Sequence, residues 1–85
     1  MIVDTSALVA ILLREPEGDA FELAIAQAPF PKVSAATYFE TGIVVDARRD
    51  PLRSRFLDSF LASAEIAIES VTPEQAIMAR QAYQD

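Results

Sequence analysis

Two acids stand alone among apolar residues, and they are the side chains best placed to do chemistry. From Met1 to Leu13 (MIVDTSALVAILL) the only charged side chain is Asp4, and from Val33 to Val45 (VSAATYFETGIVV) it is Glu40. A carboxylate taken out of water is costly unless something pairs with it. Two such groups in apolar segments therefore point to a shared partner, and a divalent cation is the simplest one. The chain has no His and no Cys, which leaves carboxylates, hydroxyls, Arg and Lys to carry any reaction. Oxygen-only ligands suit Mg²⁺ or Mn²⁺, and carboxylate-held metals of this kind serve phosphodiester hydrolysis.

Each acid also has a plainer reading. Asp4 begins Asp4-Thr5-Ser6, three good helix N-caps, so capping alone explains it equally well. Ser6 and Thr5 are caps by the same argument, although a hydroxyl beside Asp4 could orient a metal-bound water. Glu40 could lie on a solvated face or pair with Arg48 in the interior. Its neighbours Ala36, Ile43, Val44 and Ala47 weigh against the solvated face.

The elements that must position these acids read as alternating strands and helices. Met1 to Val3 is a short apolar strand, and a helix from about Ser6 to Arg14 follows, stopped by Glu15-Pro16. Glu17 to Ala28 is a second helix with Ala20, Leu23, Ala24 and Gln27 on one side. Pro29-Phe30-Pro31 breaks it. Lys32 to Ser34 is a second strand, and Ser34 caps a helix from Ala35 to Arg49 that is apolar nearly all round and so belongs inside a core. Asp50-Pro51 opens a turn into an amphipathic helix, Leu52 to Ala64, with Phe56, Leu57, Phe60 and Leu61 at helical spacing. Ile66 to Val71 alternates as a strand does. Thr72-Pro73-Glu74-Gln75 starts a last helix, with a capping box closed by Gln75. That helix keeps Ala76, Ile77, Ala79 and Tyr83 in register and runs into Asp85 without a stop signal.

The pattern predicts an α/β fold with a short parallel sheet. Sites in such sheets form beyond the carboxyl ends of the strands. Asp4 ends the first strand, and Glu40 lies roughly 9 Å along the helix leaving the second, so both are expected at one pocket.

Composition sets the bounds. The chain has 85 residues, 52% of them hydrophobic, and a net charge of −6. So high a content in so short a chain implies an unusually rich core, or an apolar face that something else covers. The negative charge argues against general charge-driven binding to nucleic acid, though a metal or a local basic patch can offset it. Four of the seven basic residues fall between Arg48 and Arg55. They read as a phosphate-contacting edge or a docking point for an acidic partner, and the plainer reading, a solvated turn, is preferred. Tyr38, Phe39, Phe56 and Phe60 are expected in the core. No apolar run is long enough to cross a membrane, and a cytoplasmic location is expected.

MIVDTSALVAILLREPE and SAATYFETGIVVDAR together resemble the PIN-domain family, and look most like the bacterial VapC toxins of toxin–antitoxin pairs. The opening I-V-D-T-S-A-L is joined, 36 residues on from Asp4, by Glu40 in an A-x-x-x-x-E-x-x-x-V segment. V-T-P-E-Q-A-x-x-A-R continues the pattern. The resemblance implies a PIN-like three-layer fold and a metal-dependent endoribonuclease in which Asp4 and Glu40 bind Mg²⁺ or Mn²⁺, with Ser6 in support. It also implies a VapB-like antitoxin that blocks the site, an RNA substrate and a homodimer. The family's remaining acids come from a glycine-aspartate segment that this sequence lacks, and Asp85 does not match it. Residues 1–85 are therefore expected to form a single PIN-like domain with its C-terminal portion missing, inactive alone.

Two other functions compete. One is a non-catalytic interaction module, a truncated PIN domain whose groove binds an antitoxin-like partner helix. The other is an aspartate phosphotransfer protein. Its phosphatase form wants a second Asp where Ser6 stands, and its receiver form wants an Asp where the chain offers only Glu69.

Overall fold

The computed structural model describes residues 1–84, with side-chain surroundings through Ala82. The expectations for Asp85 and for the side chain of Tyr83 lie outside the described residues. The elements run α1 (Thr5–Leu12), α2 (Gly18–Gln27), β1 (Lys32–Ser34), α3 (Ala35–Asp46), α4 (Pro51–Ser63), β2 (Ala67–Glu69) and α5 (Pro73–Gln84). The architecture is α/β, a short parallel sheet flanked by helices. β1 and β2 pair in parallel, with Lys32 opposite Ala67, Val33 opposite Ile68 and Ser34 opposite Glu69.

The amino-terminal segment joins this sheet less fully than its apolar pattern predicts. It makes one isolated parallel bridge, Ile2 to Lys32. The Val3 N–H donates to Lys32 O (2.8 Å), and the Lys32 N–H donates to Met1 O (2.9 Å). The chain enters α1 straight after Val3, so there is no room for a longer ladder.

Local chemistry sets the helix ends. The Asp4, Ser34 and Asp50 side chains accept the N–H groups of Ala7, Thr37 and Leu52 respectively, which satisfies donors that a helix start leaves orphaned. The capping box forms as expected. The Thr72 N–H donates to the Gln75 side chain (3.0 Å), and the Gln75 N–H donates to the Thr72 hydroxyl (3.1 Å). Both α1 and α4 end in Schellman turns. After α1, Arg14 N–H reaches Ile11 O and Glu15 N–H reaches Ala10 O; after α4, Glu65 N–H reaches Ala62 O and Ile66 N–H reaches Leu61 O. The left-handed residues of these turns are Arg14 (φ 56°) and Glu65 (φ 56°), and Arg49 (φ 54°) follows α3 in the same conformation. The turn after α1 ends that helix ahead of Pro16.

The core gathers Val3, Ala7, Leu8, Ile11, Leu12, Ile25, Val33, Val45, Leu57, Phe60, Leu61 and Ile66. Gly18 lets α2 close on α1, because a Cβ there would sit 2.7 Å from the Ala10 carbonyl oxygen. Three expectations are corrected. α3 buries only Thr41 and Val45, and Phe39 on it is 66% exposed; a helix apolar all round has no preferred face, so contacts with α1 and α4 choose one. α2 buries Gly18 and Ile25, not the side carrying Leu23. Phe56 is partly exposed, meeting buried Phe60 edge to face at 6.0 Å. α5 is exposed along its described length, and no described helix is long and apolar enough to cross a membrane.

Candidate active site

Asp4 sits where the first extended segment turns into α1, and its carboxylate is held at one oxygen. Oδ1 accepts the Ala7 N–H at 2.9 Å and the Ser6 hydroxyl at 2.9 Å. The cap reading is borne out: capping fixes the carboxylate's orientation and leaves Oδ2 outside both bonds. Ser6 acts on Asp4 directly, as a donor to its carboxylate.

Glu40 lies in the middle of α3, and the Thr5 hydroxyl donates to its Oε2 at 3.2 Å. Thr5 is the residue after Asp4, so this bond brings the start of α1 beside Glu40 from 35 positions away. In the sequence Thr5 reads as a cap. The residue that links the two helices was visible only as a hydroxyl next to an acid.

Both carboxylates are exposed, which corrects the expectation that their apolar segments carry them into the interior. Each sits where its helix meets solvent, although the neighbours in sequence are apolar. Nor does Glu40 pair with Arg48: among the described residues the ion pairs are Lys32–Glu69 and Arg53–Asp50.

The two acids line separate cavities. Asp4 borders one of about 180 Å³ with Val3, Ala7, Phe21 and Ile25. Glu40 borders a groove of about 570 Å³ between β1, β2, α3 and α5, where Thr37, Val71, Ala76 and Ala79 also face it. Ile2 lines both, but the acids border separate cavities and not the one pocket expected, because Asp4 faces the α1–α2 side and Glu40 the groove over β1 and β2. In the groove the Lys32 ammonium and the Glu69 carboxylate pair across β1 and β2 at 3.2 Å. This pair was missed in the sequence; its only signal was an acid at an alternating position of the last strand.

Among the described residues no three acids converge as a complete metal cage. Asp4 and Glu40 each carry hard oxygen donors, the donor type that Mg²⁺ or Mn²⁺ takes. Two carboxylates are part of such a ligand set.

Comparison with known proteins identifies the family. A family model described as the PIN domain matches residues 1–85. The VapC ribonuclease Mb0625 of Mycobacterium bovis and the ribonuclease VapC28 of Mycobacterium tuberculosis are each 51% identical to this chain over 85 residues, covering 100% of it and 64% of the relative. The ribonuclease VapC of Mycolicibacterium smegmatis is 45% identical over 83 residues, 98% of this chain and 64% of that protein. The chain thus spans a little under two thirds of the length of these relatives. It belongs to the PIN-domain family, alongside the VapC-type ribonucleases it resembles.

Proposed function

We propose that residues 1–85 form one PIN-like domain, incomplete at its C-terminus, that supplies two acids of a metal-dependent endoribonuclease, the toxin of a type II toxin–antitoxin pair. The observation that carries this reading is the hydrogen bond from Thr5 to Glu40, which brings the second acid to the start of the helix that Asp4 caps. Asp4 and Glu40 would hold Mg²⁺ or Mn²⁺, which when bound activates water and stabilises the leaving oxygen of a phosphodiester.

The chain's own side chains prepare this. Ala7 N–H and the Ser6 hydroxyl orient Asp4, and Thr5 orients Glu40. The glycine-aspartate segment that carries the family's remaining acids is not among residues 1–85, so these residues alone should not cleave RNA. The partners that follow are an RNA substrate, a VapB-like antitoxin and a second copy of the toxin.

In the natural-length protein, Asp4→Asn and Glu40→Gln should each abolish Mn²⁺-dependent RNA cleavage. Metal-dependent cleavage that survives both would overturn the reading. The open groove beside Glu40, with apolar Val71, Ala76 and Ala79 on its wall, favours a second reading, a non-catalytic module binding a partner helix. A Mn²⁺-induced rise in melting temperature that disappears in Glu40→Gln decides against that module.

A further inference from the structure

We infer that the corner between α3 and α4, carrying Arg48, Arg49 and Arg55, holds the phosphate backbone of single-stranded RNA. The inference rests on the ribonuclease reading and assigns a substrate-holding surface away from the acids. Its first support is distribution: four of seven basic residues fall within Arg48–Arg55 of a chain whose net charge is −6. An approaching polyanion is repelled by that net charge except where positive charge is concentrated.

The second support is how the corner's acids are engaged. Asp50 accepts the Leu52 N–H at 3.1 Å and pairs with Arg53 at 3.3 Å. Asp58 accepts the Tyr38 hydroxyl at 2.6 Å. Arg48, Arg49 and Arg55 are exposed, and no carboxylate among the described residues lies within ion-pair distance of them. Of the corner's acids only Asp46 makes no side-chain hydrogen bond or ion pair among the described residues. The sequence alone presents four arginines mixed with three aspartates and suggests a solvated turn. The folded chain occupies two of those aspartates internally and leaves three guanidinium groups facing water.

The third support is the path to the acids. α3 rises about 9 Å from Glu40 to Asp46, and Phe39, beside Glu40, is 66% exposed. Phe39 lines one shallow cavity of about 230 Å³ with Tyr38, Ser54 and the acids Asp46 and Asp58. Its exposed ring, on the same helix that ends at the arginines, offers unstacked bases a stacking surface. Arg49 occupies a left-handed turn position (φ 54°), as Arg14, Phe30 and Glu65 do elsewhere, and glycine fills such a position at lower cost.

The test uses the natural-length protein and a labelled mixed-sequence single-stranded RNA, with binding measured without divalent metal across a salt series. The comparison is wild type against the triple variant Arg48→Gln, Arg49→Gln, Arg55→Gln; Arg53 is kept because it pairs with Asp50. Three lost phosphate contacts reduce the slope of log K against log salt by about 2, so a fourfold rise in salt weakens wild type about twenty-fold more than the variant. Mn²⁺-dependent cleavage by the variant should show a raised KM and an unchanged kcat.

Arg49→Gly separates turn from contact. It should raise the melting temperature while weakening RNA binding, whereas a purely structural arginine leaves RNA binding unchanged. Equal salt slopes for wild type and the triple variant overturn the inference even if cleavage persists. Loss of binding to polyglutamate in the triple variant, with RNA binding intact, overturns it in favour of an acidic protein partner. RNA binding that depends on the arginines, without cleavage by wild type, supports the inference and overturns the nuclease reading instead.

Discussion

The Thr5 hydroxyl donates to Glu40 Oε2 at 3.2 Å and ties the first turn of α1 to the middle of α3. Asp4, the preceding residue, is itself held by Ser6 and the Ala7 N–H. Each acid therefore has its own hydroxyl: Ser6 for Asp4, Thr5 for Glu40. Thr5→Val keeps the shape and removes the donor. Because the bond is exposed, its loss should cost at most about 1 kcal/mol of stability and slow cleavage by the natural-length protein about fivefold. Thermal melts and initial rates in Mn²⁺ read the two effects separately, and Ser6→Ala should slow the reaction through Asp4 instead.

Asp4 caps α1 and is proposed to hold the metal, and two substitutions divide these roles. Asn is as good an N-cap as Asp, whereas Ala costs about 1 kcal/mol at such a position. Asp4→Asn should therefore unfold near the wild-type midpoint in urea yet lose the Mn²⁺-dependent rise in melting temperature. Asp4→Ala should lose both. Retained Mn²⁺ stabilisation in Asp4→Asn would show Asp4 to be a cap alone.

The two glycines should respond to alanine with opposite signs. At Gly18 a Cβ meets the backbone of Ala10 and Ile11, with the Ala10 oxygen at 2.7 Å, so α2 must move away from α1. The expected loss is about 1–3 kcal/mol, as for other overpacked sites. At Gly42, inside α3, the nearest atom to a Cβ is Leu57 Cδ2 at 4.0 Å. Gly42→Ala should stabilise by about 0.5–1 kcal/mol through helix propensity. Chemical denaturation of each variant reads the sign directly.

The Tyr38 hydroxyl donates to Asp58 at 2.6 Å and joins α3 to α4. That hydrogen bond, aided by burial and the negative charge of Asp58 and Asp46, raises its pKa above the ordinary 10.0. A raised folded-state pKa means the folded protein holds the proton more tightly. The contribution is then fully present below pH 10.0 and lost as pH rises through the folded-state value. Stability should fall more steeply above pH 10 in wild type than in Tyr38→Phe. At neutral pH the variant should be weaker by about 1 kcal/mol. Urea melts on both sides of pH 10 give the comparison, and parallel curves would remove Tyr38 as the cause.

Features that depend on a few neighbouring residues were legible in the sequence. Ser34 and the Thr72–Gln75 box cap the helices assigned to them, and β1 spans Lys32–Ser34 as read. Caps and turns are satisfied by backbone groups within a few positions, so their chemistry travels with the local sequence. The candidate acids were legible for a similar reason, since an isolated charge in an apolar run stands out wherever the chain goes.

Tertiary structure decided which way those residues face. Both acids reach solvent, α3 turns Thr41 and Val45 inward and leaves Phe39 and Ile43 exposed, and Asp50 and Asp58 are drawn into internal contacts that leave three arginines outside. The physical reason is periodicity. A helix with one apolar stripe declares its buried face, but α3 is apolar nearly all round and declares none. Its rotation is set by α1 and α4, and so is the meeting of Thr5 with Glu40, a contact between residues 35 positions apart that no local pattern encodes.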